Sequence, residues 1–118
     1  MDGLYATMTA QHSYLDEAPQ PLRFWANKYK TRFSEDPTVF SVYGYLIIDR
    51  FARAAQKAGA HLNTETFIKA MDTMTIEPDM FGSPTISYTT TKRLGNDLSR
   101  LSQITDGRWK VVSDYFKP

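Results

Sequence analysis

The sequence predicts a mixed α/β fold made of one β-strand, three helices and a C-terminal antiparallel β-ribbon, in that order. Three observations support this prediction. Strand formers dominate residues 3–10, apolar residues recur at helical spacing between residues 21 and 59, and Asp106-Gly107 is a dipeptide that closes two-residue hairpins. Helices with broad apolar faces need a sheet to pack against, which favours an α/β design.

The composition limits the classes of protein to which the chain can belong. Its 118 residues carry 14 basic and 13 acidic side chains, for a net charge of +1. This near-balance argues against a nucleic-acid surface, which concentrates positive charge. Cysteine is absent, so disulfides, thiolate metal sites and a cysteine nucleophile are excluded. No apolar stretch reaches the roughly 18 residues of a membrane span. The first twenty residues hold no apolar segment of the kind found in signal peptides, so we expect none in the chain as given.

The first two elements are a strand over residues 3–10 and an amphipathic helix over about 21–34. Pro21 suits the first turn of a helix, because its missing N–H has no intrahelical partner there. Three aromatic residues lie at helical spacing on one face of this helix: Trp25, Tyr29 and Phe33. A fourth, Phe24, is next to Trp25 in the sequence. These rings could stack on bases or sugars. Their helical spacing, without an accompanying basic stripe, favours a role in the core.

The second helix has the broadest apolar face in the chain. We expect Asp36 to cap it, Pro37 to occupy its first turn and Gly59 to take the left-handed C′ position after its last turn. Its apolar residues spread over most of the circumference: Val39, Val42, Leu46, Ile47, Ile48 and Phe51. A stripe of this width predicts burial on more than one side.

The remaining elements are a short helix and short strands. The third helix begins at Asn63, and residues 75–78 form a transition towards β structure. A turn follows at 81–84. Strands are then predicted over residues 85–88, 97–105 and 108–115, the last two flanking the Asp106-Gly107 turn.

No pattern in the sequence predicts catalysis. It contains no phosphate loop, dinucleotide fingerprint or nucleophile elbow. His12 and His61 lie far apart in predicted loops, where surface histidines are the expected interpretation. Glu35 and Asp36 are explained by the end of one helix and the cap of the next rather than by general acid–base chemistry. We therefore expect no enzyme, no catalytic residue, no cofactor and no metal.

One candidate binding feature remains, at the start of the second helix. Phe40, Ser41, Tyr43 and Tyr45 lie in its first turns. Helix N-termini favour anionic groups, and aromatic side chains placed there can form the wall of an organic ligand site. Tight packing of the same turns explains the pattern equally well.

Four segments carry a resemblance to a known family. They are FWANKYKTRFSEDPTVFSVYGYLIIDRFARAAQKAG from residue 24, LNTETFIKAMDTM from residue 62, FGSPTISY from residue 81 and TDGRWKVV from residue 105. In order and spacing they resemble the C-terminal part of the periplasmic solute-binding proteins of branched-chain amino acid ABC importers, which are type I periplasmic binding proteins. The opening GLYAT is similar to a strand of that family that lies beside a crossing between its two lobes.

The resemblance implies both a fold and a function. Residues 1–118 would be a single partial domain, the C-terminal portion of a two-lobed fold whose ligand cleft closes by hinge motion. The implied function is that of a solute-binding component of an ABC importer in the periplasm. Its partners would be a membrane permease and a solute, either an amino acid, an amide or an aromatic acid. Of the family's ligand-contacting positions, the aromatic one at the start of the second helix carries over to Phe40, with Tyr43 and Tyr45 nearby.

A second hypothesis is an independently folding interaction domain that kept the packing of this fold and lost its ligand. In the resembled fold the second helix packs on a parallel sheet that the three predicted C-terminal strands do not replace. Burying a large apolar side chain is worth about 1.5–3 kcal/mol, so leaving several exposed would be costly. We therefore expect the isolated chain to form a homo-oligomer.

Overall fold

Three helices and five short strands form the fold, which a computed structural model describes over residues 1–12 and 14–118. The predicted mixed α/β class, with three helices and antiparallel strands, is confirmed. The elements in chain order are β1 (Tyr5–Met8), α1 (Gln20–Phe33), α2 (Val39–Ala58), α3 (Thr64–Met71), β2 (Thr75–Ile76), β3 (Ile86–Ser87), β4 (Arg100–Thr105) and β5 (Arg108–Val111).

The first helix begins within a residue of its predicted start. Pro19 is its N-cap, and Pro21 lies in the first turn as expected. The helix ends at Phe33, and its C-cap Ser34 has a left-handed backbone (φ 58°) and an N–H that donates to the carbonyl of Lys30 at 2.8 Å. The chain changes direction at Ser34 and continues towards α2.

The predicted cap of α2 was wrong. Thr38, not Asp36, is the N-cap, and its backbone N–H donates to Oγ of Ser41 at 3.1 Å. Asp36 instead forms an ion pair with Lys30 of α1 at 2.9 Å. The cause is local: Thr38 and Ser41 have the three-residue spacing that reciprocal capping requires, so the helix begins after Thr38. At the other end, Gly59 is the C-cap with a positive φ of 82°, but its ψ of −164° lies outside the left-handed helical region that was predicted.

The predicted start of α3 is confirmed. Oδ1 of Asn63 accepts a hydrogen bond from the Thr66 N–H at 3.0 Å, and the Asn63 N–H donates to the Thr66 hydroxyl at 3.0 Å. The backbone N–H groups of Asn63 and Thr66, which have no partner within the helix, are thus each paired with the other residue's side chain. The signal is entirely local, which explains why the sequence alone located it.

The C-terminal hairpin is confirmed, and it is part of a larger sheet. Asp106 and Gly107 both have positive φ (52° and 72°), as a two-residue hairpin turn requires. The strands β4 and β5 are shorter than the predicted 97–105 and 108–115. The unexpected member is β1, which pairs antiparallel with β4 so that the sheet order is β1-β4-β5.

A second, two-stranded sheet joins β2 to β3 in antiparallel register, with Ile76 opposite Ile86. The prediction of a plain transition over residues 75–78 therefore missed a strand. The predicted strand over 85–88 is present as the shorter β3. Two residues are too few to show an alternating pattern, so only the partner strand reveals β2.

The buried side chains form two clusters. The first holds Ala10, Ala18, Leu22, Val42, Leu46 and Phe81, and the second holds Ala54, Met74, Ile76 and Ile86. Phe81 is only 1% exposed, although the sequence places it in a turn. Its ring packs edge-on against Trp25 of α1 and Tyr45 of α2, with centroids 5.0 and 5.7 Å away. A turn residue therefore joins the two long helices.

The prediction that α2 is buried on more than one side was wrong for this chain. Val42, Leu46 and Ala54 are buried, but four large apolar side chains of the helix remain more than half exposed: Phe40, Ile47, Ile48 and Phe51. The reason is that the described strands form two small sheets, and neither covers that face of α2. None of the described helices is both long and apolar enough to cross a bilayer.

An ion-pair cluster lies between the β3–β4 connection and the C-terminal segment. Nζ of Lys92 lies 2.8 Å from one carboxylate oxygen of Asp97, and Nζ of Lys117 lies 3.1 Å from the other. The hydrogen bonds from the two ammonium groups lower the pKa of Asp97 from 3.8 to about 2. The folded state therefore prefers the charged carboxylate more than the unfolded state does.

The Asp97→Asn variant should lose stability in a pH-dependent way. A folded pKa below the unfolded one stabilises the fold above the unfolded pKa, and that stabilisation disappears as the pH falls from about 4 towards 2. The difference in melting temperature between the parent chain and the variant should be largest near neutral pH and vanish near pH 2. Asp114→Asn, at an exposed aspartate outside this cluster, is the matched control. An equal deficit at both pH values would contradict the ion-pair explanation.

Candidate functional site

The three aromatic residues predicted to bind ligand lie on different sides of α2. The rings of Phe40 and Tyr43 pack edge-on with centroids 6.3 Å apart. Tyr45 turns away from them, and its ring lies 5.8 Å from Trp25 and 5.7 Å from Phe81. Residues two apart on a helix point about 200° from each other, so Tyr43 and Tyr45 cannot share one wall. The structure brings Phe40 and Tyr43 together and separates Tyr45 from them.

Tyr43 lines a cavity of about 520 Å³ between α2 and the segment that contains β3, which we call the strand-side cavity. Ile47 and Arg50 extend the α2 wall, while Tyr88 and Asn96 face them. The described residues include no ion-pair partner for Arg50. This volume lies within the range of about 300–1,000 Å³ that is usual for small-molecule sites.

A second cationic side chain of the strand-side cavity is already paired. Arg93 donates from Nε and Nη2 to the two carboxylate oxygens of Asp72, at 3.0 and 2.9 Å. These hydrogen bonds raise the pKa of Arg93 above its usual value. Arg50 is therefore the cation of this cavity that can meet an anionic group.

Tyr45 lines a different depression, an open groove of about 830 Å³ between α1 and α2, which we call the α1–α2 groove. Its other walls are mostly aromatic, from Phe24, Trp25, Tyr29 and Phe33 of α1. The expectation that these four rings form core was wrong for two of them, since Phe24 is 65% exposed and Phe33 58% exposed. Leu22 and Ala26 are the residues that α1 buries, which leaves the aromatic rings along its flank.

The rim of the α1–α2 groove is positively charged. Lys28 and Arg32 line it, and Nζ of Lys28 lies 5.4 Å from the centroid of the Phe24 ring. No acidic residue of the described chain lines the groove. The sequence contains a pattern that indicates this charged rim. Lys28 and Arg32 are four residues apart among aromatic residues, and this spacing places both on one helix face.

The described residues contain no group of three or more histidine, aspartate or glutamate side chains arranged to hold a metal ion. Phe40 lies at the surface, 78% exposed, and lines neither the strand-side cavity nor the α1–α2 groove. The strand-side cavity and the α1–α2 groove therefore lie on two sides of α2, and the exposed aromatic pair lies in the first turns of this helix.

A family model described as periplasmic binding protein matches residues 1–108. The match includes β1, all three helices and β4, and it reaches the first residue of β5. No curated protein matches the sequence. Since the match extends over most of the 118 residues, the chain belongs to the periplasmic binding protein family.

Proposed function

We propose that the chain is the C-terminal part of a solute-binding component of an ABC-type importer and acts in the periplasm without catalysing a reaction. Its solute would be a branched-chain amino acid or a related small organic molecule such as an amide or aromatic acid. A membrane permease would be its partner. The family to which the chain belongs supports a solute-binding role, and the resemblance of its motifs to amino acid receptors supports this class of solute.

The exposed aromatic pair at the start of α2 is the observation that carries the proposal. Phe40 is 78% exposed, and its ring rests edge-on against Tyr43. A large apolar side chain held in water gains about 1.5–3 kcal/mol when it is covered. The positive end of the α2 dipole lies beside this pair and favours a carboxylate. An amino acid with an apolar side chain would satisfy both features.

Replacing Phe40 by alanine should weaken solute binding in the complete two-lobed receptor by about 1–3 kcal/mol, because the apolar cover of the ligand is lost. Titration calorimetry with leucine measures this change. The melting temperature of the ligand-free receptor should stay nearly constant, since Phe40 is exposed in the chain described here.

Ile48→Ala is the matched control, because Ile48 is also exposed on α2 but is not proposed to touch solute. It should leave the affinity unchanged. A large drop in ligand-free stability on replacing Phe40 would instead assign that side chain to the core. The chain alone should show no submicromolar affinity for amino acids, because a cleft ligand is held from two sides and one side is absent.

A second candidate is an interaction domain that has lost its ligand, and the exposed face of α2 favours it. Ile47 and Ile48 are 63% and 67% exposed, and Phe51 is 55% exposed. An apolar patch of this kind marks an interface, which a second copy of the chain could cover. Self-association in sedimentation velocity, combined with a complete receptor that binds no solute, would favour this candidate over the first.

A further inference from the structure

We infer that the α1–α2 groove binds a small organic anion with a flat aromatic body. This site is separate from the proposed solute site, since it lies on the other side of α2 from Tyr43. The inference is also independent of the proposed function, because it rests on the walls and the charge of the groove alone.

The size and walls of the groove suit a small molecule. Its volume of about 830 Å³ falls in the upper part of the usual range for such sites, about 300–1,000 Å³. The rings of Trp25 and Tyr29 have centroids 5.9 Å apart, and those of Tyr29 and Phe33 are 4.6 Å apart. Aromatic rings at these distances form a continuous wall on which another flat ring can pack.

Two contacts outside the groove hold these rings in place. The hydroxyl of Tyr29 donates to a carboxylate oxygen of Glu35 at 2.9 Å. Trp25 rests edge-on against buried Phe81, with centroids 5.0 Å apart. Because the wall exists before a ligand arrives, binding needs little ordering of side chains, which favours affinity.

The charge of the rim selects an anion. Lys28 and Arg32 line the groove, and neither forms an ion pair with a described carboxylate. Two acidic residues lie nearby without lining the groove: Glu35 accepts a hydrogen bond from Tyr29 of the groove wall, and Asp36 pairs with Lys30. A carboxylate or sulfonate on an aromatic body would therefore meet two cations that form no ion pair with the described carboxylates.

A pair of naphthalene dyes tests the site directly. 1-Anilinonaphthalene-8-sulfonate carries the sulfonate, and N-phenyl-1-naphthylamine has the same aromatic body without charge. Titration of the chain should give saturable binding of both dyes, with the anionic dye about 1.5- to fivefold tighter, the range expected for an exposed ion pair. A Trp109→Phe background leaves Trp25 as the one tryptophan, and its fluorescence should be quenched as each dye binds.

The rim charges are tested with a double variant. Lys28→Gln with Arg32→Gln should remove the preference for the anionic dye and leave the affinity for the neutral dye unchanged. Arg23→Gln with Lys69→Gln removes the same charge from exposed positions outside the groove, and should alter neither affinity. Circular dichroism spectra and melting temperatures of both double variants check that the fold is retained.

Several outcomes would overturn the inference. Equal affinities for the two dyes in the parent chain would show that the rim does not select anions. Dye binding on the exposed face of α2 would leave Trp25 unquenched and would not respond to the rim variants. Loss of dye binding as the chain self-associates would show that a second copy fills the groove. None of these outcomes bears on solute binding at Phe40, so the two proposals can fail separately.

Discussion

Replacing Phe81 by alanine should lower the free energy of unfolding by about 3–5 kcal/mol, the usual cost of removing a buried phenylalanine. The side chain is 1% exposed and lies between Trp25 of α1 and Tyr45 of α2. A cavity at this point would remove the contact that both helices share. Since small domains are stable by only about 5–15 kcal/mol, a large part of the total would be lost. Urea unfolding followed by circular dichroism measures the change.

Phe33→Ala is the matched control for this experiment. Phe33 is also aromatic and borders the same pair of helices, but it is 58% exposed. Surface substitutions usually change stability by about 0.5 kcal/mol or less, so the two variants should differ several-fold in effect. Similar losses from both would show that Phe81 is not the centre of the first buried cluster.

Neighbouring positions on α2 should respond very differently to a charge. Leu46 is 6% exposed and Ile47 is 63% exposed. Leu46→Asp would place an unpaired carboxylate in the first cluster, which costs several kcal/mol, and the chain should fail to fold. Ile47→Asp places the same charge in water, and the chain should keep its circular dichroism spectrum.

The Ile47→Asp variant also tests the predicted homo-oligomer. If a second copy covers the exposed face of α2, the charge should dissociate the oligomer into folded monomers, as sedimentation velocity would show. A parent chain that is already a folded monomer at micromolar concentration would contradict the prediction of self-association. Unfolding of the Ile47→Asp variant would show that this face is covered within the chain itself.

Sequence reasoning succeeded where the signal was local. The cap at Asn63 and the Asp106-Gly107 turn depend on residues within three positions of each other, and both were located correctly. The prediction of the N-cap of α2 was wrong for an equally local reason. Asp36 and Thr38 are both good capping residues, and the choice depended on the bond that Thr38 makes with Ser41.

Contacts between distant residues could not be predicted in the same way. Phe81 looks like part of a turn because Gly82, Ser83 and Pro84 follow it, and nothing nearby indicates that its ring lies between two helices. The separation of Tyr45 from Phe40 and Tyr43 could be foreseen in part. Helical spacing alone places Tyr43 and Tyr45 on different sides of α2, but deciding which side is concave requires knowing where α1 and β3 pack.

The pairing of β1 with β4 has a consequence for the order in which the chain folds. It joins Met8 to Arg100, so the intervening loop must close before the sheet can form. Closing this loop carries a chain-entropy cost that the local contacts within a helix do not carry, and proteins with many such distant contacts fold slowly. The helices can form from local contacts, whereas β1 stays without its sheet partner until β4 pairs with it. Pulse-labelled hydrogen exchange at Ala6 and Ser102 during refolding would time this step, and until it is complete β1 is open to wrong partners.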